Sequence, residues 1–446
     1  MASISNYKDF SSSYFLKNKL SLKIRTETIF LICGIFLFRY ICDESYLITK
    51  IVFNYENPFL FEPSFFSKIV SWIFLISFLP FLSKIYFRKN PSDNIIFLLG
   101  LVSLVPSTTL IAANGSYSII YIFLLWIYWF LLFALCILIP SFNLNVFKKI
   151  RSKHFYMTLI FLICASVVYL SWLNTGFRIV FNIFDSAMIY DLRVEAREYS
   201  SFPFIGYLQH AGDNLLPILM VYVFAKGKKL LSLFLLFVIL LNFGITASKQ
   251  VFLLLFLGVI SCFFIKKVYL PRLFLIGAIF VTLATILEFY ILKTAISSMF
   301  SSYRIYFIPA KYHYIYYEFF STYQPDYFRQ SFLRYFFESP YDRSLHMILA
   351  DYHNRDYYAR ANNGLFSDAV MNLGYLGTII FPILVILVLK LLDGATQNLP
   401  LSVIFIVIVT TSFMLLNLNL SIALISGGLL LILFTLYSLP RQEQKS

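Results

Sequence analysis

The sequence predicts an all-α protein built into a membrane, a polytopic bundle of about 12 transmembrane helices with a long, partly helical outer loop between spans nine and ten. Three observations carry that prediction. Hydrophobic residues make up 60% of the chain and charged residues 13%, and mean hydropathy is +0.78, a composition whose main solvent is lipid. The apolar residues fall in runs near the length a membrane requires, and those runs are continuously apolar, whereas barrel strands alternate in short pieces. Basic residues gather in alternate connections.

Residues 1–27 read as a cytoplasmic tail. They carry Lys8, Lys17, Lys19, Lys23 and Arg25 and lack the apolar core and small-residue cleavage site of a signal peptide. A helix crosses a hydrocarbon core of about 30 Å with about 20 apolar residues. Runs of that order occur at 28–42, 65–83, 94–112, 117–139, 156–174, 204–225, 230–247, 250–265 and 273–292, so residues 28–293 form the first nine spans, with a charged outer loop at 175–203. Residues 294–363 form the long outer loop, and spans at 364–391, 401–417 and 420–438 complete a second bundle segment, 364–438, before a short tail at 439–446. The long loop contains 21 Tyr and Phe, a composition able to bury surface, so a folded cap on the membrane face is expected there, with "YEFFSTY" and "RQSFLRYFFE" helical.

Of the 36 Lys and Arg, 21 lie in the two tails and the alternate connections, accompanied by five acidic residues, which by the positive-inside rule places these connections and both termini in the cytoplasm. The net charge of +14 is thereby a topology signal, and nucleic-acid binding, which needs a basic folded face, is not expected. The five cysteines lie in or beside apolar runs without CxxC spacing, so neither a disulfide framework nor a zinc site is indicated. The sequence also lacks GxxxxGK[ST], GxSxG and HExxH, which removes support for nucleotide hydrolysis and the commoner hydrolase designs.

Chemistry is expected on the outer side. "LRVEAREYSS", residues 192–201, sets Arg193, Glu195, Arg197 and Glu198 between two apolar runs. As a helix it pairs like charges at i,i+3 and i,i+4, each pair costing about 0.2–0.5 kcal/mol, unless the arginine face meets an anion such as a phosphate. As an extended segment its charges alternate in sign along one face, and it reads as a solvated stretch with internal ion pairs. Lys249, in the tight turn of "GITASKQVF", either holds a phosphate or complements the C-terminal dipole of the preceding span. "IGYLQHAGDNLLP" places His210 and Asp213 at i,i+3, the pairing a general base requires or else a polar contact between helices. Glu288 has similar standing. In the long loop, Arg304, Arg360 and other basic residues alternate with rings able to stack on sugars or to sit at the membrane interface. His346, Asp351, His353 and Asp356 fit no standard metal spacing, so no metal is expected.

With its many spans, charged outer "YDLRVEAREY", tight "SKQ" turn, long late outer loop and "NNGLFSDAVMNLGYLG" leading back to the bilayer, the chain resembles the Wzy-type O-antigen and oligosaccharide repeat-unit polymerases. The resemblance implies a glycosyltransferase of the bacterial inner membrane that joins undecaprenyl-diphosphate-linked repeat units into O-antigen or capsule-like polymer on the outer face. It implies no cofactor, and as partners the lipid-linked oligosaccharide, membrane lipids, a chain-length regulator and a flippase. On this sequence it places substrate anchoring on Arg193, Arg197, Lys249, Arg304 and Arg360, and proton transfer among Glu195, Glu198, His210 and Asp213. The alternatives are the related O-antigen ligase and, in a different class, a lipid-linked-oligosaccharide flippase or transporter.

Overall fold

A computed structural model describes residues 5–53, 61–144, 153–180, 186–199, 202–354, 361 and 363–441. About 80% of the described residues are helical, and the only β pairing among them is an isolated bridge between Glu62 and Asn114. Helix follows from the solvent: in lipid a backbone group finds no water, so each segment satisfies its own N–H and C=O groups.

In chain order the helices are α1 (Ser5–Phe53), α2 (Phe65–Tyr86), α3 (Pro91–Leu99), α4 (Val105–Ala113), α5 (Ile119–Leu138), α6 (Lys153–Thr175), α7 (Ser186–Glu198), α8 (Pro203–Ala225), α9 (Lys229–Thr246) and α10 (Lys249–Phe264). They continue as α11 (Leu270–Leu287), α12 (Ile296–Phe300), α13 (Ile308–Thr322), α14 (Leu345–Asn354), α15 (Phe366–Thr396), α16 (Leu401–Asn417), α17 (Leu420–Leu424) and α18 (Leu429–Ser438). A π-helical turn at Gly100–Leu104 joins α3 to α4, another extends α11 through Leu292, and a third, Ser302–Phe307, leads into α13. Eight segments among the described residues are long and apolar enough to cross a membrane, and α10 and α16 are shorter apolar helices. The bundle is built by α15 along α5, α8 along α9 and α1 along α11.

Two features depart from the expected layout. The long loop is more than a cap: its first half returns into the bundle. Tyr303, Tyr306 and Phe307 pack edge or face on Phe53, Phe38 and Tyr46 of α1, and α13 is buried against α15. The second departure is in α15, expected as one continuous span. It breaks at Gly374, whose φ of 55° and ψ of −139° are open only to glycine. Residues 366–373 form a half-helix doubled back on the rest, and Asp368 shares a cavity lining with Phe381 and Val385, 7 and 11 residues beyond Gly374. Its carboxylate accepts the Leu420 N–H of α17 at 2.6 Å and the Asn372 side-chain amide at 2.7 Å, fastening this half-helix to the broken run α16–α18.

The fold of the hairpin rests on Gly377, where an added Cβ would stand 1.9 Å from the Ala369 carbonyl oxygen. Backbone cannot retreat as a side chain can, and overpacking of this kind costs about 1–3 kcal/mol or more. Gly377→Ala is therefore expected to lower the unfolding midpoint in detergent micelles, while Gly277→Ala, whose Cβ meets nothing within 4 Å, leaves it unchanged or raises it. Equal midpoints for the two variants would remove the hairpin argument.

"RQSFLRYFFE", expected to be helical, is a run of turns instead. Its backbone finds other partners: the Gln330 N–H donates to the Asp326 carboxylate at 2.8 Å, and Tyr327 and Phe328 sit at φ of 51° and 63°. Glu288 caps α12, its carboxylate accepting the backbone N–H groups of Ile296 and Ser297 at 2.7 and 2.8 Å.

Candidate functional site

The corner between α9 and α10 collects most of the outer-side candidates. Chain direction reverses there within two residues, Ala247 in the left-handed region at φ 47° and Ser248, leaving the last carbonyls of α9 without helical partners. Arg193 and Arg178 supply them: Arg193 Nε donates to Ala247 O at 3.0 Å and Arg178 Nη2 to Gly244 O at 3.3 Å. Positive charge at a helix C-terminus is favourable for the same reason. Gly244 permits the approach, since a Cβ there would lie 2.0 Å from Arg178 O.

Segment 191–198 is helical, part of α7, so the alternating extended arrangement does not form. The like-charge cost is met by partners outside the helix. Arg178 Nη1 lies 2.9 Å from Glu195 Oε2, its Nη2 donates to Tyr199 OH at 2.9 Å, and Tyr199 OH donates to Glu195 Oε1 at 2.8 Å. The Tyr199 hydrogen bond, with the Arg178 guanidinium beside it, outweighs partial burial and holds the Glu195 carboxyl below its ordinary 4.5.

Beneath this layer a polar chain runs between α8 and α9. Gln209 Nε2 donates to Asn242 Oδ1 at 2.7 Å, and Asn242 Nδ2 donates to Asp213 Oδ1 at 2.6 Å. His210 Nδ1 stands 3.8 Å from Asp213 Oδ2, with the imidazole 64% and the carboxylate 17% exposed. On the α10 side, Gln250 Nε2 donates to Asn214 Oδ1 at 2.7 Å, and Asn214 Nδ2 to Gly427 O at 3.0 Å. Lys249, the first residue of α10, places Nζ 4.5 Å from the centre of the Phe300 ring, which joins the long loop to the corner.

Arg193, Glu195, Lys249, His210 and Asp213 thus hang from one short stretch, residues 242–250, although they come from three separate parts of the sequence. Glu198 is exposed. Arg304 is exposed, lies over the Tyr303 ring at 5.5 Å and follows Phe300 by four residues. The Arg197 side chain and all of Arg360 lie outside the described residues, as do Asp356 and the His353 side chain.

Sequence reasoning passed over Arg178, Tyr199, Asn242 and Gln209. Arg178 left only a weak signal, a cation directly after span five in the same loop as Asp191, Glu195 and Glu198. Asn242 and Gln209 gave none, since one amide in an apolar helix is indistinguishable from an interhelical contact. Chemically, the corner offers cations able to face a diphosphate and, tied to the same stretch of α9 through Asn242, an exposed imidazole beside a mostly buried carboxylate. No protein family, curated protein or solved structure matches the chain.

Proposed function

We propose that the chain is a membrane glycosyltransferase that polymerises undecaprenyl-diphosphate-linked oligosaccharide repeat units into O-antigen or capsule-like polysaccharide at the outer face of a bacterial inner membrane. The observation that carries the reading is the gathering of Arg178, Arg193 and Lys249 about the α9–α10 corner, to which the Asp213–His210 pair is also tied through Asn242. A diphosphate leaving group gains negative charge as the sugar departs, and fixed cations at a partly dehydrated surface stabilise that charge more than water does. Arginine does so with planar, paired donors. The acceptor hydroxyl loses its proton to the His210–Asp213 pair, because Glu195 is already engaged by Arg178 and Tyr199.

The reading includes twelve crossings: the eight long apolar segments together with α1, α8, α10 and α16, both termini in the cytoplasm. The substrate is the lipid-linked oligosaccharide, approached from the bilayer, and a chain-length regulator and a flippase act alongside. Arg193→Ala in a cell lacking its own polymerase is expected to leave single-repeat products in place of long polymer at unchanged protein level. Full polymer lengths would sink the assignment, and accumulation of long carrier-linked glycan in a deletion strain would favour the ligase.

The broken helices favour one rival, a lipid-linked-oligosaccharide flippase. Interrupted helices meeting within a bundle, as α15 and α16–α18 do at Asp368, are a transporter device. Proteoliposomes separate the two: a flippase moves carrier-linked oligosaccharide across the bilayer without lengthening it.

A further inference from the structure

We propose that residues 328–337 form an aromatic wedge seated in the headgroup layer of the bilayer, with the phospholipid surface itself as the partner. Within six residues Phe332, Tyr335, Phe336 and Phe337 are 49%, 77%, 76% and 60% exposed. No other stretch of the long loop presents so many rings to its surroundings among the described residues.

Position argues for lipid. Phe328 stacks on Phe381 with ring centres 6.0 Å apart, and Phe381 lies seven residues past Gly374, about 10 Å along the span at 1.5 Å per residue. The root of the wedge therefore leans against the first turns of α15 past Gly374, where Tyr375, Leu376 and Ile379 are exposed apolar residues. Aromatic rings favour this layer, where an apolar body meets a polar edge. Irregular backbone is excluded from the hydrocarbon but tolerated at the headgroups once its own bonds are met. Here they are met locally: the N–H groups of Ser331 and Leu333 donate to Phe328 O at 3.0 and 3.1 Å, and those of Phe336 and Phe337 to Leu333 O at 2.9 and 3.0 Å.

Charge agrees with position. Exposed Arg334 lies 4.6 Å from the centre of the Tyr335 ring, so the tip carries a guanidinium suited to lipid phosphate, while Arg329 turns back to donate to the Asp326 and Pro325 carbonyls at 2.7 and 2.9 Å. The root of the wedge is tied to the α15 hairpin. The Asp326 N–H donates to Met371 O at 2.8 Å, and the Tyr327 N–H to Asn372 O at 3.1 Å, both at the end of the half-helix. Lipid contact thereby braces the half-helix from outside the bundle, whatever reaction the protein performs.

The test uses the full chain in nanodiscs of phosphatidylethanolamine and phosphatidylglycerol. Bimane is attached at Phe336→Cys, and for reference at the exposed Ser321→Cys, in a Cys33→Ala background whose four remaining thiols are buried. Nitroxide carried near the lipid headgroup is expected to quench position 336 and iodide to spare it, with the reverse at position 321. Iodide quenching of both positions would show a water-facing loop and overturn the proposal. Protection of position 336 from both quenchers would show a protein contact and overturn it equally.

Discussion

Asp213→Asn is expected to slow polymer extension by about 10²–10⁴-fold, the range for removing a general base, with little effect on folding. The substitution preserves shape and leaves an oxygen to accept from Asn242 Nδ2, now at 2.6 Å from the carboxylate. What it removes is the charge that stabilises the His210 imidazole once it has taken the acceptor's proton. The measurement is extension of synthetic lipid-linked repeats by purified protein, with the unfolding midpoint taken on the same sample. If Asp213 merely joined α8 to α9, the asparagine variant would extend normally, and the proton-acceptor role would be lost with it. His210→Ala serves as the companion, expected to reduce extension while leaving the Gln209–Asn242–Asp213 chain intact.

What the sequence disclosed about this corner, and what it concealed, follows from the kind of signal each residue leaves. Apolar runs are read by hydropathy, so the helices α2, α5, α6, α9 and α11 overlap their expected spans closely. Hydropathy is blind to direction. The stretch 364–391 is apolar on both sides of Gly374, and a helix that doubles back scores the same as one that continues. Charges left a signal in the loops, which is how Arg193, Glu195 and Lys249 stood out, but their neighbours depend on tertiary placement. Nothing local says that Arg178 meets a carboxylate 17 residues later and a carbonyl 66 residues later. In α1, Arg39 escaped notice because the run before it is apolar. It is fully buried, donates to Thr108 Oγ1 at 2.8 Å and to Thr108 O at 3.0 Å, and pairs with Asp43. The turns at 327–336 show the opposite failure, where rings at helical spacing coexist with an Asp326 side chain that captures the backbone.

Lys390→Met is expected to cost about 3–5 kcal/mol of stability, the range for leaving buried charge without its partner. Lys390 reads in the sequence as one of the basic residues that fix orientation, yet it is fully buried at the other end of α15 from the hairpin. Its Nζ donates to Ser92 Oγ at 3.0 Å and lies 3.7 Å from Asp393 Oδ2. Asp393 accepts the Ser92 N–H, the Ser92 hydroxyl and the Ser141 hydroxyl at 2.7, 2.6 and 2.7 Å. Beside it, buried Asp93 faces Arg88 at 3.5 Å. Methionine fills the space but strands Asp393 in a site that water does not reach. Adding Asp393→Asn removes the stranded charge while an oxygen remains to accept from Ser92, so the double variant is expected to recover part of the loss, a non-additivity that neither substitution shows alone. Thermal unfolding in micelles reads both, and equal midpoints for Lys390→Met and the parent would show that the pair contributes nothing. Because this network shares no residue with the α9–α10 corner, extension per folded molecule should be unchanged in Lys390→Met, the converse of the Asp213→Asn result.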